Sequence, residues 1–330
     1  MKKTLYTLLA ALAITGCSKE TIKTNPSVES IGPAQAISFN VSDFGLSTGS
    51  IRTNSVVSTN ALEDHISHLY YSVLDWQESG FDPIKTFARY QQHLSSESNF
   101  GAIRDSLQDG RYHINFIGSD VEGTVDVETI PLSGGSQLPR PGFYLNYKKV
   151  TSNIFTAYID TTVAGKPIGK PIVLKRAVSQ VTLHINDAIP ANASKFVLSF
   201  KDYPGGIDLV SGYGLDRGRN DEPYDTAIFE FPITSTNIGK KNMEVSVYVF
   251  PYYYPEIAID CLDAQGNVIV HKVMPKNLYN VYTKLDRNIQ YSFAGNLFGQ
   301  TANFNISVDS NWKTPVNTPF SIPGITQRIF

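Results

Sequence analysis

A chain of 330 residues is long enough for two domains of ordinary size, and its 42% apolar content supplies a core. A formal net charge of −2, from 28 basic and 30 acidic residues, leaves no basic face for phosphates and argues against nucleic acid as a partner. With two cysteines, disulfides do not hold the fold together, and 18 tyrosines and 18 phenylalanines beside two tryptophans suit extracytoplasmic β-structure.

In chain order, Met1-Lys2-Lys3 and the apolar run at 5–14 form a secretory signal, too short to span a bilayer as a mature helix. Ile14-Thr15-Gly16-Cys17 resembles a lipobox, the signal type in which the cysteine is lipidated and becomes the new N-terminus. Residues 1–16 are thus read as signal peptide and Cys17 as the lipidation site. Residues 17–35, polar and carrying Pro26, Gly32 and Pro33, read as a flexible tether. Ser18-Lys19-Glu20 resembles the lysine-plus-acid export signals of some surface lipoproteins and equally suits a plain linker.

Strand alternation begins at Ile37-Ser38-Phe39-Asn40-Val41, where the odd positions are apolar. It recurs at 68–74, at 111–116 with Tyr112, Ile114 and Phe116 on one face, and at Phe155, Ala157 and Ile159. Residues 100–107 read as a short helix. Pro167 and Pro171 bracket a glycine-containing joint. Alternation resumes at Val181, Leu183 and Ile185, then at 196–200, 243–249, 257–262 and 268–273. Gln265-Gly266-Asn267 reads as a hairpin turn. Strands at 291–293 and 304–308 complete the pattern. Short strands between turn signals predict an all-β chain of two antiparallel β-sandwiches in tandem, at 36–172 and 173–312, with an extended tail at 313–330.

The chain is poor in catalytic patterns. His65 and His68 lack the intervening glutamate of a metalloprotease helix, and no nucleophile elbow or P-loop is present. The loops Asp120-Val121-Glu122 and Asn220-Asp221-Glu222 lack the ligand density of a calcium site. The glycine-rich segment at 212–218 has the wrong spacing for a dinucleotide and reads as a loop. Cys261 on an alternating strand is expected to be a buried, inert thiol. No enzyme activity, cofactor or metal is expected. Tyr252-Tyr253-Tyr254, between Pro251 and Pro255, suits either core packing or an exposed platform that stacks on a sugar.

The stretch at 171–183, with Lys175-Arg176-Ala177-Val178, then Asp286-Arg287-Asn288 followed by Tyr291, the strand at 303–308 and Trp312 together resemble the fimbrillin family of type V pilus subunits. Asp109-Gly110-Arg111-Tyr112 is also similar to that family. The resemblance covers about 37–312 through short motifs.

It implies two transthyretin-like Greek-key sandwiches on a lipoprotein, exported to the outer membrane and held there by lipid on Cys17. It implies partners that are other fimbrial subunits, joined by strand exchange, and surface ligands on host or bacterial cells. In polymerising members an arginine-specific protease removes the first strand, and a C-terminal strand of another subunit fills the groove. Arg52, after the first strand, is the candidate cleavage site, and Ile37, Phe39 and Val41 lie in the displaceable strand. Val316 to Ile322 is a candidate donor, although Pro315, Pro319 and Pro323 cannot donate backbone hydrogen bonds. Asp105-Ser106-Leu107, Asp160-Thr161-Thr162 and Asp225-Thr226-Ala227 resemble an O-glycosylation motif of such surface proteins. The alternative function is a glycan-binding surface lipoprotein of a polysaccharide-uptake system, with Tyr252, Tyr253, Tyr254 and Trp76 as its platform.

Overall fold

The computed structural model describes residues 33–45, 62–75, 86–122, 125–126, 142–145, 153–204, 206–208, 212–214, 225–276, 282–299, 304–309 and 326–329. Apart from one 3₁₀ turn at Leu62–Asp64, the described elements are all strands. The first group is β1 (Gln35–Gly45), β2 (His68–Asp75), β3 (Thr86–Leu94), β4 (Ala102–Leu107), β5 (Gly110–Ser119), β6 (Val125–Asp126), β7 (Gly142–Leu145), β8 (Ile154–Val163) and β9 (Ile168–Arg176). The second group is β10 (Ser179–Ile185), β11 (Lys195–Tyr203), β12 (Ile207–Asp208), β13 (Asp225–Pro232), β14 (Met243–Val249), β15 (Ile257–Leu262), β16 (Val268–Val273), β17 (Gln290–Gly295), β18 (Phe304–Asp309) and β19 (Thr326–Ile329). The expected all-β fold is what the chain adopts.

β1 to β5, β8 and β9 form one hydrogen-bonded sheet in the order β3-β2-β5-β8-β9-β1-β4. β8 and β9 touch only at Phe155–Arg176 and Thr156–Lys175. Beyond that corner they splay, so the sheet divides into a β3-β2-β5-β8 layer and a β9-β1-β4 layer. Ile37, Phe39 and Val41 from one layer pack against Tyr71, Val73, Ile114 and Phe116 from the other. Polar contacts close the far side: Tyr71 donates to Asp105 at 3.1 Å, and Arg89 lies 3.7 Å from the same carboxylate.

The second group builds a four-stranded sheet, β14-β10-β17-β18, and a five-stranded sheet, β16-β15-β11-β13-β19. Between them lies a core that includes Val181, Leu183, Phe196, Leu198, Phe200, Phe229 and Phe293. Tyr70, Ile117 and Ile154 of the first group join this second core. A small sheet pairs β7 with β12, again linking the two groups. Each group opens with a strand that pairs parallel to a later strand of its own group, β1 with β9 and β10 with β17, while the other described ladders are antiparallel. A parallel partner is reached only through a long crossover, so the opening strand is locked by residues far along the chain.

Two local expectations are corrected. Residues 100–107 are not helical: a turn ends at Gly101 and β4 follows. Ile103 and Leu107 face the core, but between them the inward position holds Asp105, and this carboxylate interrupts the apolar alternation that marks a strand. Gly101 has φ of +89°, and a Cβ there would sit 2.5 Å from the Val41 carbonyl oxygen, so only glycine fits the turn. The second correction concerns the proline-bracketed joint at 167–171, which is the start of β9. β8 leaves the outer edge of β9 open at Pro171, where a missing N–H is tolerated.

The Gln265-Gly266-Asn267 hairpin is formed as expected. The Asp263 side chain accepts from the N–H groups of Gln265 and Asn267, and β15 pairs antiparallel with β16.

Candidate functional site

β1 is an interior strand. Along its length it runs parallel to β9, with Ile37 opposite Ile168, Phe39 opposite Lys170 and Val41 opposite Ile172. On its other side it runs antiparallel to β4, with Ile37 opposite Asp105 and Phe39 opposite Ile103. Ile37, Phe39 and Val41 are all buried, as alternation requires, and Phe39 meets Phe116 edge-on with centroids 5.1 Å apart. Between Val41 and Asp43 a register shift marks a bulge. Because β4 is a sheet edge held chiefly through β1, withdrawing β1 would expose a trough lined by Ile103, Phe116 and Ile172 and leave the backbone groups of β9 and β4 without partners.

Burial of the three β1 side chains contributes roughly 5–8 kcal/mol by area, which is comparable with the whole stability of an ordinary domain. Any vacancy would therefore be refilled strongly by another strand of matching pattern. Cys17, Arg52, Trp76, Trp312 and the 316–322 segment lie outside the described residues.

Far along the chain, β19 is the edge strand of the five-stranded sheet and pairs antiparallel with β13, Ile329 opposite Ala227 and Thr326 opposite Glu230. It carries no proline, so this end of the tail is free to complete a ladder.

The residues that carry the family-like pattern do structural work that their spacing did not announce. Arg176 ends β9 fully buried. Its Nε donates to Asn153 Oδ1 at 2.9 Å, its Nη1 donates to Asn288 Oδ1 at 2.8 Å, and its guanidinium lies 5.6 Å from the Phe155 ring centroid. Burial pushes Arg176 down to about 10, still far above neutral pH, so its charge is retained. Asn288 adopts φ of +58° and donates its N–H to the Val178 carbonyl. The pair clamps the place where the chain passes from one sheet group to the other. A lone buried arginine is invisible in sequence because arginine is ordinarily a surface residue.

The tyrosine run divides its roles. Tyr252 is buried with Tyr203, at 5.5 Å in a T-shaped contact, while Tyr253 is 59% and Tyr254 51% exposed. Tyr213 stacks on Tyr253 at 4.8 Å with planes 20° apart. The Tyr213 loop reaches this position because Gly214 donates to the Pro251 carbonyl at 2.6 Å, and a Cβ at Gly214 would lie 2.4 Å from the Pro204 ring. Cys261 is buried as expected, and burial pushes its thiol up to about 11. Among the described residues no group of three or more metal-ligating side chains converges, and no helix is long and apolar enough to cross a membrane.

No protein-family model matches the chain, and no curated protein is similar to it. Solved structures are. A candidate polysaccharide-binding protein from Bacteroides thetaiotaomicron superposes with a TM-score of 0.52 at 13% identity, over 84% of this chain and 96% of that one. The fimbrial anchor protein Mfa2 from Porphyromonas gingivalis superposes at 0.48 with 11% identity, over 84% and 98% of the respective chains. The tip fimbrial protein Mfa3 from the same organism gives 0.41 with 10% identity, over 84% and 99%. At such identities the first match shows a shared fold and nothing about activity.

Proposed function

We propose that this chain is a structural or adhesive subunit, or the anchor, of a cell-surface fimbria, and that it joins its neighbours by donor-strand addition. The observation that carries this reading is the placement of β1. It is the first described strand, it lies before Arg52, and it is sandwiched between two strands whose partner groups it satisfies. Cleavage at Arg52 would detach the whole strand from the rest of the chain without cutting any other described element. The vacated trough takes an extended apolar segment in register, because backbone pairing supplies affinity and the Ile37, Phe39 and Val41 pockets supply selectivity. The C-terminal tail of a neighbouring copy is the proposed donor, and the capacity of its last residues to form β19 supports that role.

In the same proposal Cys17 bears lipid that holds the protein at the outer membrane until or unless cleavage occurs. Acyl chains contribute about 0.8 kcal/mol per buried methylene, so several on one residue give a lasting anchor.

The experiment is incubation of the full chain with an arginine-specific protease, followed by gel electrophoresis and N-terminal sequencing. A new terminus at Thr53 and a ladder of polymers that Arg52→Ala prevents is the expected result. Cleavage without any polymer restricts the chain to the anchor or tip role, and a chain from cells that retains unacylated Cys17 removes the lipid anchor.

A further inference from the structure

The exposed tyrosines belong to a larger built surface. Segments 251–256 and 282–287 run side by side: Leu285 donates its N–H to the Tyr252 carbonyl at 3.0 Å, and the Tyr282 hydroxyl donates to Glu256 Oε2 at 2.7 Å. Lys284 Nζ lies 4.4 Å from the Tyr213 ring centroid and 5.1 Å from that of Tyr253. Lys284 also pairs with Asp286 at 2.9 Å, and the Tyr213 hydroxyl donates to the same carboxylate. Lys276 lies 4.7 Å from the Tyr282 ring centroid. Tyr254 adopts φ of +52°, a backbone region that bulky residues avoid, and its ring is exposed.

We propose that the Tyr213, Tyr253, Tyr254 and Tyr282 face binds a neutral pyranose polysaccharide. The exposed rings of Tyr253 and Tyr254, with Tyr213 and Tyr282 partly buried in the same loops, offer flat apolar area to the C–H faces of sugar rings at little entropic cost. Around them stand the alternating donors and acceptors that sugar hydroxyls require: the Lys284 ammonium, the Asp286 and Glu256 carboxylates and the tyrosine hydroxyls. Charge is close to balance around the described residues of this face, with Lys201, Lys276, Lys284 and Arg287 against Asp202, Glu256 and Asp286, which favours an uncharged ligand over a strongly acidic one. The exposed large apolar side chains of the described parts of these loops are tyrosines alone, whereas a protein-docking patch would ordinarily add aliphatic anchors. This inference stands apart from strand exchange, since no residue of the face belongs to β1 or its trough.

The test is calorimetric titration of the full chain with laminarin, pectic galactan and yeast mannan, repeated on Tyr253→Ala and Tyr254→Ala. Both side chains are exposed, so unchanged circular dichroism and denaturation midpoints show that the variants fold. The expected result is binding of at least one polysaccharide, weakened tenfold or more in each variant, with the polymer ladder unaffected. Absence of binding across the panel overturns the proposal, as does equal binding by the variants. So does loss of self-association in sedimentation by variants whose glycan heats are unchanged, which assigns the face to a second copy of the chain.

Discussion

At the scale of single residues, Arg176 carries more of the structure than any catalytic-looking side chain. It is a charge taken out of water and held by neutral amide oxygens and an aromatic ring. Such a group is stabilising only while its partners are in place. Arg176→Ala leaves the buried Asn288 side-chain oxygen and the partly buried Asn153 oxygen without their donor, and a void beside Phe155. The expected loss is on the order of 3 kcal/mol, read from the urea midpoint, and Arg176→Lys should recover only part because an ammonium cannot span Asn153 and Asn288 together.

The buried tyrosines make a second prediction at this scale. Burial, aided by Asp105, raises the Tyr71 hydroxyl well above its ordinary value; burial likewise raises Tyr203 and Tyr252, and brings Tyr291 to about 12. In the unfolded chain these hydroxyls ionise near pH 10. Their folded values are higher, so the folded state binds more protons above that point. The stability they contribute is complete below about pH 10 and is lost as pH climbs through the folded values. Arg176 works in the opposite sense in this window but is one group against several. The denaturation midpoint should hold steady to about pH 9 and fall steeply by about pH 11; a midpoint that rises over that interval contradicts the packing described.

At the scale of elements, the two chain ends behave differently. β1 is internal to its sheet and fills the core, so Phe39→Ala should cost about 3–5 kcal/mol. β19 caps an edge by four residue pairs and has a partner strand on one side only. Deleting residues 326–330 should leave the fold intact while hydrogen exchange quickens at the β13 amides between Ala227 and Glu230. A deletion that unfolds the protein would show that β19 is as deeply built in as β1. In the assembly reaction, a synthetic Gln35–Gly45 peptide added in excess should shorten or abolish the polymer ladder of the cleaved protein, because it reoccupies the trough first.

At the scale of the whole molecule, two cores lie side by side and share a seam. Tyr70, Ile117 and Ile154 reach from the first strand group into the second core, and Arg176 and Asn288 clamp the crossing. After loss of β1 the first core is weakened and the second retains both of its sheets. Thermal unfolding should therefore change from one main transition to two, the earlier belonging to the first group. A single transition at lower temperature would mean that the seam couples the cores more tightly than their separate packing suggests.

Period-two alternation at 37–41, 181–185, 196–200 and 245–249 was enough to find strands and their inward faces, because each of these segments has one side against a core and one against water or polar neighbours. The hairpin at 263–267 was equally legible, since its turn is local. β4 and β9 were not: Asp105 sits inward where alternation demands an apolar residue, and Pro171 stands inside a strand that has an open edge. The partnership of β1 with β9, Arg176 with Asn288, and Tyr213 with Tyr253 depends on residues tens to more than a hundred positions apart. Local composition thus determined that the chain is made of strands and which side chains turn inward. Tertiary structure alone decided which strands are neighbours, which tyrosines face water and where a buried charge is tolerated, because those outcomes come from long-range closure and desolvation, to which short stretches of sequence are blind.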